Sequence, residues 1–187
     1  MKIDGVASRT IWLEPDGWSV GILDQTMLPH TVVRKTLRTP EDAALAIKTM
    51  QVRGAPLIGV TAAYGVALAM RADPSDTSLK HTLAFLAEQR PTAVNLRWAL
   101  NDLQATLASL PPKSRAAAAY ARAAEIADDD VETCRRIGVN GLRLIQELAN
   151  ERPGEPVNIL THCNAGWLAC VDWGTATSPI YQAHDAG

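Results

Sequence analysis

No Cys-x-x-Cys pair occurs in the sequence, and its three cysteines, Cys134, Cys163 and Cys170, are odd in number. Both facts argue against a disulfide framework and against a zinc site of the usual spacing. An excess of charge of one sign is also missing. The 18 basic and 20 acidic residues leave a net charge of −2 with a pI near 6.1, and no basic run is longer than two. That gives no electrostatic footprint for nucleic acid. The first dozen residues lack the apolar core of a signal peptide, so a reducing cytoplasm is the expected location. The longest uncharged run, between Arg53 and Arg71, falls just short of a membrane span and is rich in Gly, Ala and Thr. It is expected to be a buried helix of a core, with no membrane partner. Neither a Walker A motif nor a G-x-G-x-x-G fingerprint is present.

What is present is an ordinary globular composition, 47% hydrophobic and 20% charged, enough to bury a core. The first 37 residues read as strands. "RTIWLE", "WSVGIL" and "HTVVRKTL" carry β-branched and aromatic residues, with the turn signal "PDG" between the first two. From Thr39 the pattern becomes helical, with Thr39 as N-cap, Pro40 at the first helical position and acids in the first turn. Further helices are expected from about Pro56 to Met70, from Ser78 to Gln89, and from Ala93 onward. In the last of these, Leu96, Leu100, Leu103 and Leu107 share one face. A long helical tract follows from Ala116 to Ala149, where Gly138 and Gly141 are expected to break or kink it. Its run Asp128–Asp130 reads as a solvated face or a helix start rather than a metal site.

"NERPGEP" at 150–156 has the composition of a linker. After it, "VNILTHC" fits a buried strand of a parallel sheet, and a helix is expected from about Gly166 to His184. Strand, tight turn and helix together open a Rossmann-like unit. The expected fold is therefore α/β: a small N-terminal domain of antiparallel strands plus helices over 1–150, then the first strand–helix unit of an incomplete Rossmann-like domain over 151–187. A strand without neighbours is expected to leave an exposed apolar patch that promotes association.

Three short stretches have the residue types for chemistry. Cys163 stands where a strand runs into a helix, so converging N–H groups and the helix dipole favour its thiolate. The alternative is an inert, packed cysteine, which is how Cys134 and Cys170 read. His162 is adjacent, although neighbours along a strand point to opposite faces. In "QVRGAPLIG" (51–59), Arg53, Gly54 and Ala55 precede a helix start, a plausible anion cradle or else an ordinary interhelical loop. In "QRPTAVNLRW" (89–98), Arg90 precedes a helix start with Thr92 as the expected cap.

"VRGAPLIG", "RPTAVNL" and "THCNAG", in this order and at these separations, resemble the methylthioribose-1-phosphate isomerase family. The wider superfamily includes ribose-1,5-bisphosphate isomerases and regulatory subunits of initiation factor 2B. The resemblance extends from the N-terminal strands to Gly187. It implies that substrate lies between a small N-terminal domain and a Rossmann-like one. Arg53, Gly54, Ala55 and Arg90 would bind it, with Cys163 as the catalytic thiol or transition-state stabiliser. The family's reaction opens a ring-closed aldose 1-phosphate and moves hydrogen from C2 to C1, giving a ketose 1-phosphate without metal or nucleotide cofactor. Its members form dimers. Their catalytic aspartate, a substrate-binding glutamine and an asparagine–lysine pair lie in a second half with no counterpart here. Asp172 and Asp185 do not match those motifs. On this reading the chain is truncated and inactive alone. The alternatives are a non-catalytic phosphosugar-binding or regulatory module, and an isomerase of another pentose 1-phosphate.

Overall fold

A computed structural model describes residues 1–187. Two small antiparallel sheets precede six α-helices. The first sheet pairs β1 (Lys2–Ile3) with β2 (Val6–Ala7). Asp4 and Gly5 both adopt positive φ between them, the geometry a two-residue hairpin turn of this hand requires. The second sheet has the order β3 (Ile11–Leu13), β4 (Val20–Asp24), β5 (Val33–Leu37), all antiparallel, with Ile11 opposite Ile22 and Val20 opposite Leu37. The turn expected at "PDG" forms. The Asp16 carboxylate accepts from the N–H groups of Trp18 and Ser19 at 2.9 and 2.8 Å, and Gly17 takes φ +79°. Every residue of β4 is buried: the strand is central, Val20 and Ile22 join the main core, and Gly21 lies under the Trp12 ring.

The helices start and stop close to where their sequences indicate. Thr39 caps α1 (Pro40–Lys48) in a reciprocal capping box with Asp42. The uncharged run becomes α2 (Ala55–Ala72), whose residues Leu57 to Met70 are all buried. This helix is the hub. It packs against α1, α3 (Asp76–Ala87), α4 (Val94–Ala108) and α5 (Pro112–Glu151), so its apolar surface faces other helices. The four leucines expected on one face of α4 are all buried against that core. Arg115 is buried near the start of α5, where its guanidinium donates to the carbonyls of Leu110 and Pro74 and pairs with Asp76.

Two expectations for the second half of the chain need correction. Gly138 and Gly141 do not break α5, which runs unbroken for 40 residues. They are contact points instead. A Cβ at Gly141 would sit 2.6 Å from Cγ of Pro179, and one at Gly138 would overlap Ser178 and Gln182. The two glycines thus form the seat on which α6 (Ser178–Asp185) docks. Gly141→Ala is expected to push α6 off and to destabilise the protein by about 1–3 kcal/mol, read by chemical denaturation. An unchanged midpoint would contradict this docking.

The second correction concerns "VNILTHC". It forms no strand, and its residues 158–163 are exposed, with Leu160 97% accessible. A strand needs a partner for its N–H and C=O groups. The five strands present are committed to the two N-terminal sheets, so the segment is left unpaired. The helix expected from Gly166 is also shorter. Residues Trp167–Ala169 make a single 3₁₀ turn, positive φ at Trp173 and Gly174 interrupts the chain, and only α6 is regular. Cys170 accordingly lies in a turn and not in a helix.

Candidate functional site

The stretch 164–172 returns to the N-terminal body and is tied down residue by residue. The Thr10 N–H and hydroxyl both donate to the Val171 carbonyl, at 3.1 and 3.3 Å, and the hydroxyl also reaches that of Cys170 at 2.6 Å. The N-terminal ammonium pairs with Asp172. Val171 itself is fully buried in the main core. These contacts fix the turn that follows Cys163.

Gly54 is where this turn meets the "VRGAPLIG" loop. It takes φ +109°, a region that favours glycine, and a Cβ there would lie 2.5 Å from the carbonyl oxygen of Ala169. Only a residue without a side chain allows that approach. From the same turn the Asn164 amide donates to the Arg53 carbonyl at 3.5 Å. The arginine loop and the cysteine loop are thereby side by side, as their joint candidacy requires.

Gly54 also begins α2, and no side chain caps it. Its first-turn N–H groups therefore have no side-chain acceptor, and they carry the positive end of the helix dipole. The exposed Arg53 stands immediately before them. The "RPTAVNL" loop repeats the arrangement. Sequence pattern suggests Thr92 as the cap of α4, but the cap position is Ala93, which has no side-chain acceptor to offer. The half-buried Arg90 precedes it, its carbonyl accepting from the Ala93 N–H at 2.9 Å. The two helix starts are neighbours: a Cβ on Gly59, one turn into α2, would be 3.0 Å from the Asn95 carbonyl in the first turn of α4. Two uncapped N-termini with flanking arginines make an electropositive end suited to an anion such as phosphate.

Cys163 is exposed, with φ +70°. It stands at the rim of this region on the unpaired segment and is not buried at a strand end, because the strand is absent. His162 is exposed beside it.

Gln25 escapes sequence reasoning. It lies in a 3₁₀ turn capped by Asp24, is buried, and acts as a brace. Its backbone N–H donates to the Gln51 carbonyl at 2.9 Å, and its side-chain amide donates to that of Leu168 at 2.6 Å. It links the approach to Arg53 with the turn after Cys163. Its own carbonyl oxygen has no protein partner. An apolar cavity of about 260 Å³ opens beside Leu168, lined by Ile3, Leu23, Leu28, Val33 and Trp167 among others. None of Arg53, Arg90 or Cys163 lines it.

The Asp24 carboxylate that caps the turn is opposed by burial. The Lys35 ammonium at 2.7 Å and the Thr26 hydroxyl and N–H outweigh that burial and hold its pKa below the ordinary value. A carboxyl with a depressed folded pKa contributes stability above its unfolded pKa and loses it as pH falls through the folded one. Stability is therefore expected to decline as pH drops below about 4. Asp24→Asn should remove part of that decline in acid denaturation curves, and an identical acid limb in the variant would contradict the assignment.

The order and spacing of these three loops can be set against known proteins. The model of the initiation factor 2 subunit family matches residues 51–187, which include all three. The chain belongs to the initiation factor 2 subunit family. Within the curated relatives it is 60% identical over 187 residues to the methylthioribose-1-phosphate isomerase of Rhodospirillum centenum, covering all of this chain and 50% of that protein. It is 61% identical to the enzyme of the same name from Acidiphilium cryptum, again over the whole chain and 51% of the relative. The chain thus spans about half the length of the curated relatives it matches. Among solved structures, the 5-methylthioribose 1-phosphate isomerase of Pyrococcus horikoshii superposes with a TM-score of 0.83 at 34% identity, over 97% of this chain and 50% of that one. Translation initiation factor eIF-2B subunit delta from A. fulgidus gives 0.82 at 36% identity, over 97% and 52%. The family members share the mixed α/β architecture described above.

Proposed function

We propose that this chain supplies the phosphate-binding and cysteine loops of an aldose–ketose isomerase that converts 5-methylthioribose 1-phosphate to 5-methylthioribulose 1-phosphate. The observation that carries the reading is the pairing of two uncapped helix N-termini, each beside an arginine, with the cysteine loop held against the first of them. The names of relatives about 60% identical agree with it.

In this reading Arg53, the N–H groups at Gly54 and Ala55, and Arg90 hold the 1-phosphate. A phosphate on the anomeric oxygen prevents the spontaneous opening available to a free sugar, so the site must donate a proton to the ring oxygen and then move hydrogen from C2 to C1. Cys163, beside the phosphate cradle, is placed on the sugar as proton donor or stabiliser of the opened form. The remaining acid–base group and the contacts to the 5-substituent would come from the region that corresponds to the other half of the relatives. Residues 151–187 would open a Rossmann-like second domain there, giving strand partners to the exposed 157–161. A homodimer in the cytoplasm, with no nucleic acid bound and no metal or nucleotide used in the reaction, completes the proposal.

Titration calorimetry with 5-methylthioribose 1-phosphate tests the cradle. Arg53→Ala and Arg90→Ala should each weaken binding by roughly tenfold or more, since each removes charged hydrogen bonds. Unchanged affinity in both variants would overturn the assignment. A second reading, a non-catalytic module that binds phosphosugars, is favoured by the equal likeness to the initiation-factor structure. It predicts the same binding without turnover.

A further inference from the structure

Away from the arginine loops, α5 and the turn after Trp167 bring three ligand-type side chains together. Asp130 and Cys134 are one helical turn apart and so share a face of α5. Cys170 meets them from the turn. The carboxylate and the two thiols have donor atoms all within 4.8 Å of one another. Both thiols are 1% exposed and neither is in a disulfide. The half-buried Asp130 carboxylate accepts from the Val171 N–H at 2.7 Å, and its other oxygen has only the Cys134 thiol at 4.0 Å. No Lys or Arg pairs with it, although Asp102, Asp128 and Asp76 each have an arginine. Asp172 lies nearby, its own charge met by the N-terminal ammonium, which does not pair with Asp130. A sheltered acid beside two thiols, with no basic partner, is a site short of a cation.

We propose that Asp130, Cys134 and Cys170 form a binding site for one thiophilic divalent cation of the zinc class. Zinc takes thiolate sulfur at about 2.3 Å and carboxylate oxygen at about 2.0 Å in a tetrahedral shell. Tetrahedral angles at those lengths put the two sulfurs roughly 3.8 Å apart, within reach by side-chain rotation. Binding converts Zn²⁺, two thiols and the carboxylate into a complex of charge −1 and releases two protons, so affinity rises with pH. The fourth position is left to a water or a further ligand. The role is structural: the ion would clamp the 169–171 turn, which seats Gly54, onto α5. Sequence spacing hides the site because its ligands come from two distant elements. It does not rest on the isomerase reading.

The test is cobalt loading of the intact protein, produced in cobalt-supplemented medium, with the metal-to-protein ratio and the near-ultraviolet thiolate-to-cobalt absorption measured after desalting. Wild type and Cys163→Ser are expected to retain close to one equivalent with the charge-transfer band. Cys134→Ser and Cys170→Ser should each retain at least about tenfold less against a competing chelator. Wild type with no bound cobalt and no band overturns the proposal whether or not the variants fold. So does binding that is lost in Cys163→Ser alone, which would place the metal on His162 and Cys163.

Discussion

Cys163→Ala is expected to lower the isomerase kcat of the intact protein by about a hundredfold or more, the range seen when a proton-transfer group is removed. Stability should hardly move, because the side chain is exposed and packs against nothing in the core, and surface changes of this kind stay within about 0.5 kcal/mol. The split is diagnostic. A residue that only packs would change the denaturation midpoint and leave kcat alone, whereas a group acting on the substrate does the reverse. KM should stay near wild type, since the phosphate remains with Arg53 and Arg90. Cys163→Ser should fall between the two, because a hydroxyl keeps a transferable proton but is a far weaker acid than a thiol. Steady-state kinetics with calorimetric melting of the same preparations decides it. A fully active alanine variant would remove Cys163 from the chemistry.

Gly54→Ala is the substitution with the largest expected structural effect. Its φ of +109° is strained for any L residue, and the added Cβ would fall 2.5 Å from the Ala169 carbonyl oxygen. The backbone conflict costs about 1–3 kcal/mol, and opening the contact adds a packing loss of similar size. Relief requires the 164–169 turn to move away from the arginine loop, which breaks the Asn164–Arg53 hydrogen bond. Affinity for the phosphosugar should therefore fall along with stability. Gly17 provides the control: its φ is also positive, at +79°, but a Cβ there meets nothing within 4 Å. Gly17→Ala should cost only about 1 kcal/mol and leave binding intact. Equal losses in the two variants, by urea denaturation and titration, would show that contact with Ala169 is not what Gly54 is for.

Local features of the sequence were the legible ones. Thr39, Pro40 and Asp42 announce α1 within a residue, and the leucine spacing of α4 reports its buried face, because capping and periodicity are properties of a few adjacent residues. The three antiparallel strands were readable for the same reason, joined as they are by short connections. The first hairpin carried a signal too, the Asp4–Gly5 pair, which passes unremarked beside the stronger "PDG". What could not be read depends on remote partners. "VNILTHC" has strand composition, yet no neighbouring strand is there to pair with it. Gly138 and Gly141 look like helix breakers until Pro179 and Ser178 are seen resting on them. Thr92 looks like a cap, but the helix begins one residue later.

The candidate site divides in the same way. Arg53, Gly54, Arg90 and Cys163 stand out by residue type and order. The adjacency of the α2 and α4 starts, and of Gly54 to Ala169, is a tertiary fact. Gln25 could not have been found, since a buried glutamine that braces two loops carries no pattern of its own. Asp130, Cys134 and Cys170 likewise meet only in the fold.

Conversion of 5-methylthioribose 1-phosphate by the purified intact protein can be followed directly by NMR. Loss of the anomeric C1 signal and growth of the C1 methylene and C2 ketone signals of the ketose 1-phosphate are expected, slowed by about a hundredfold or more in Cys163→Ala. Tight binding of the sugar with no conversion by wild type would contradict the isomerase reading and leave a phosphosugar-binding module in its place.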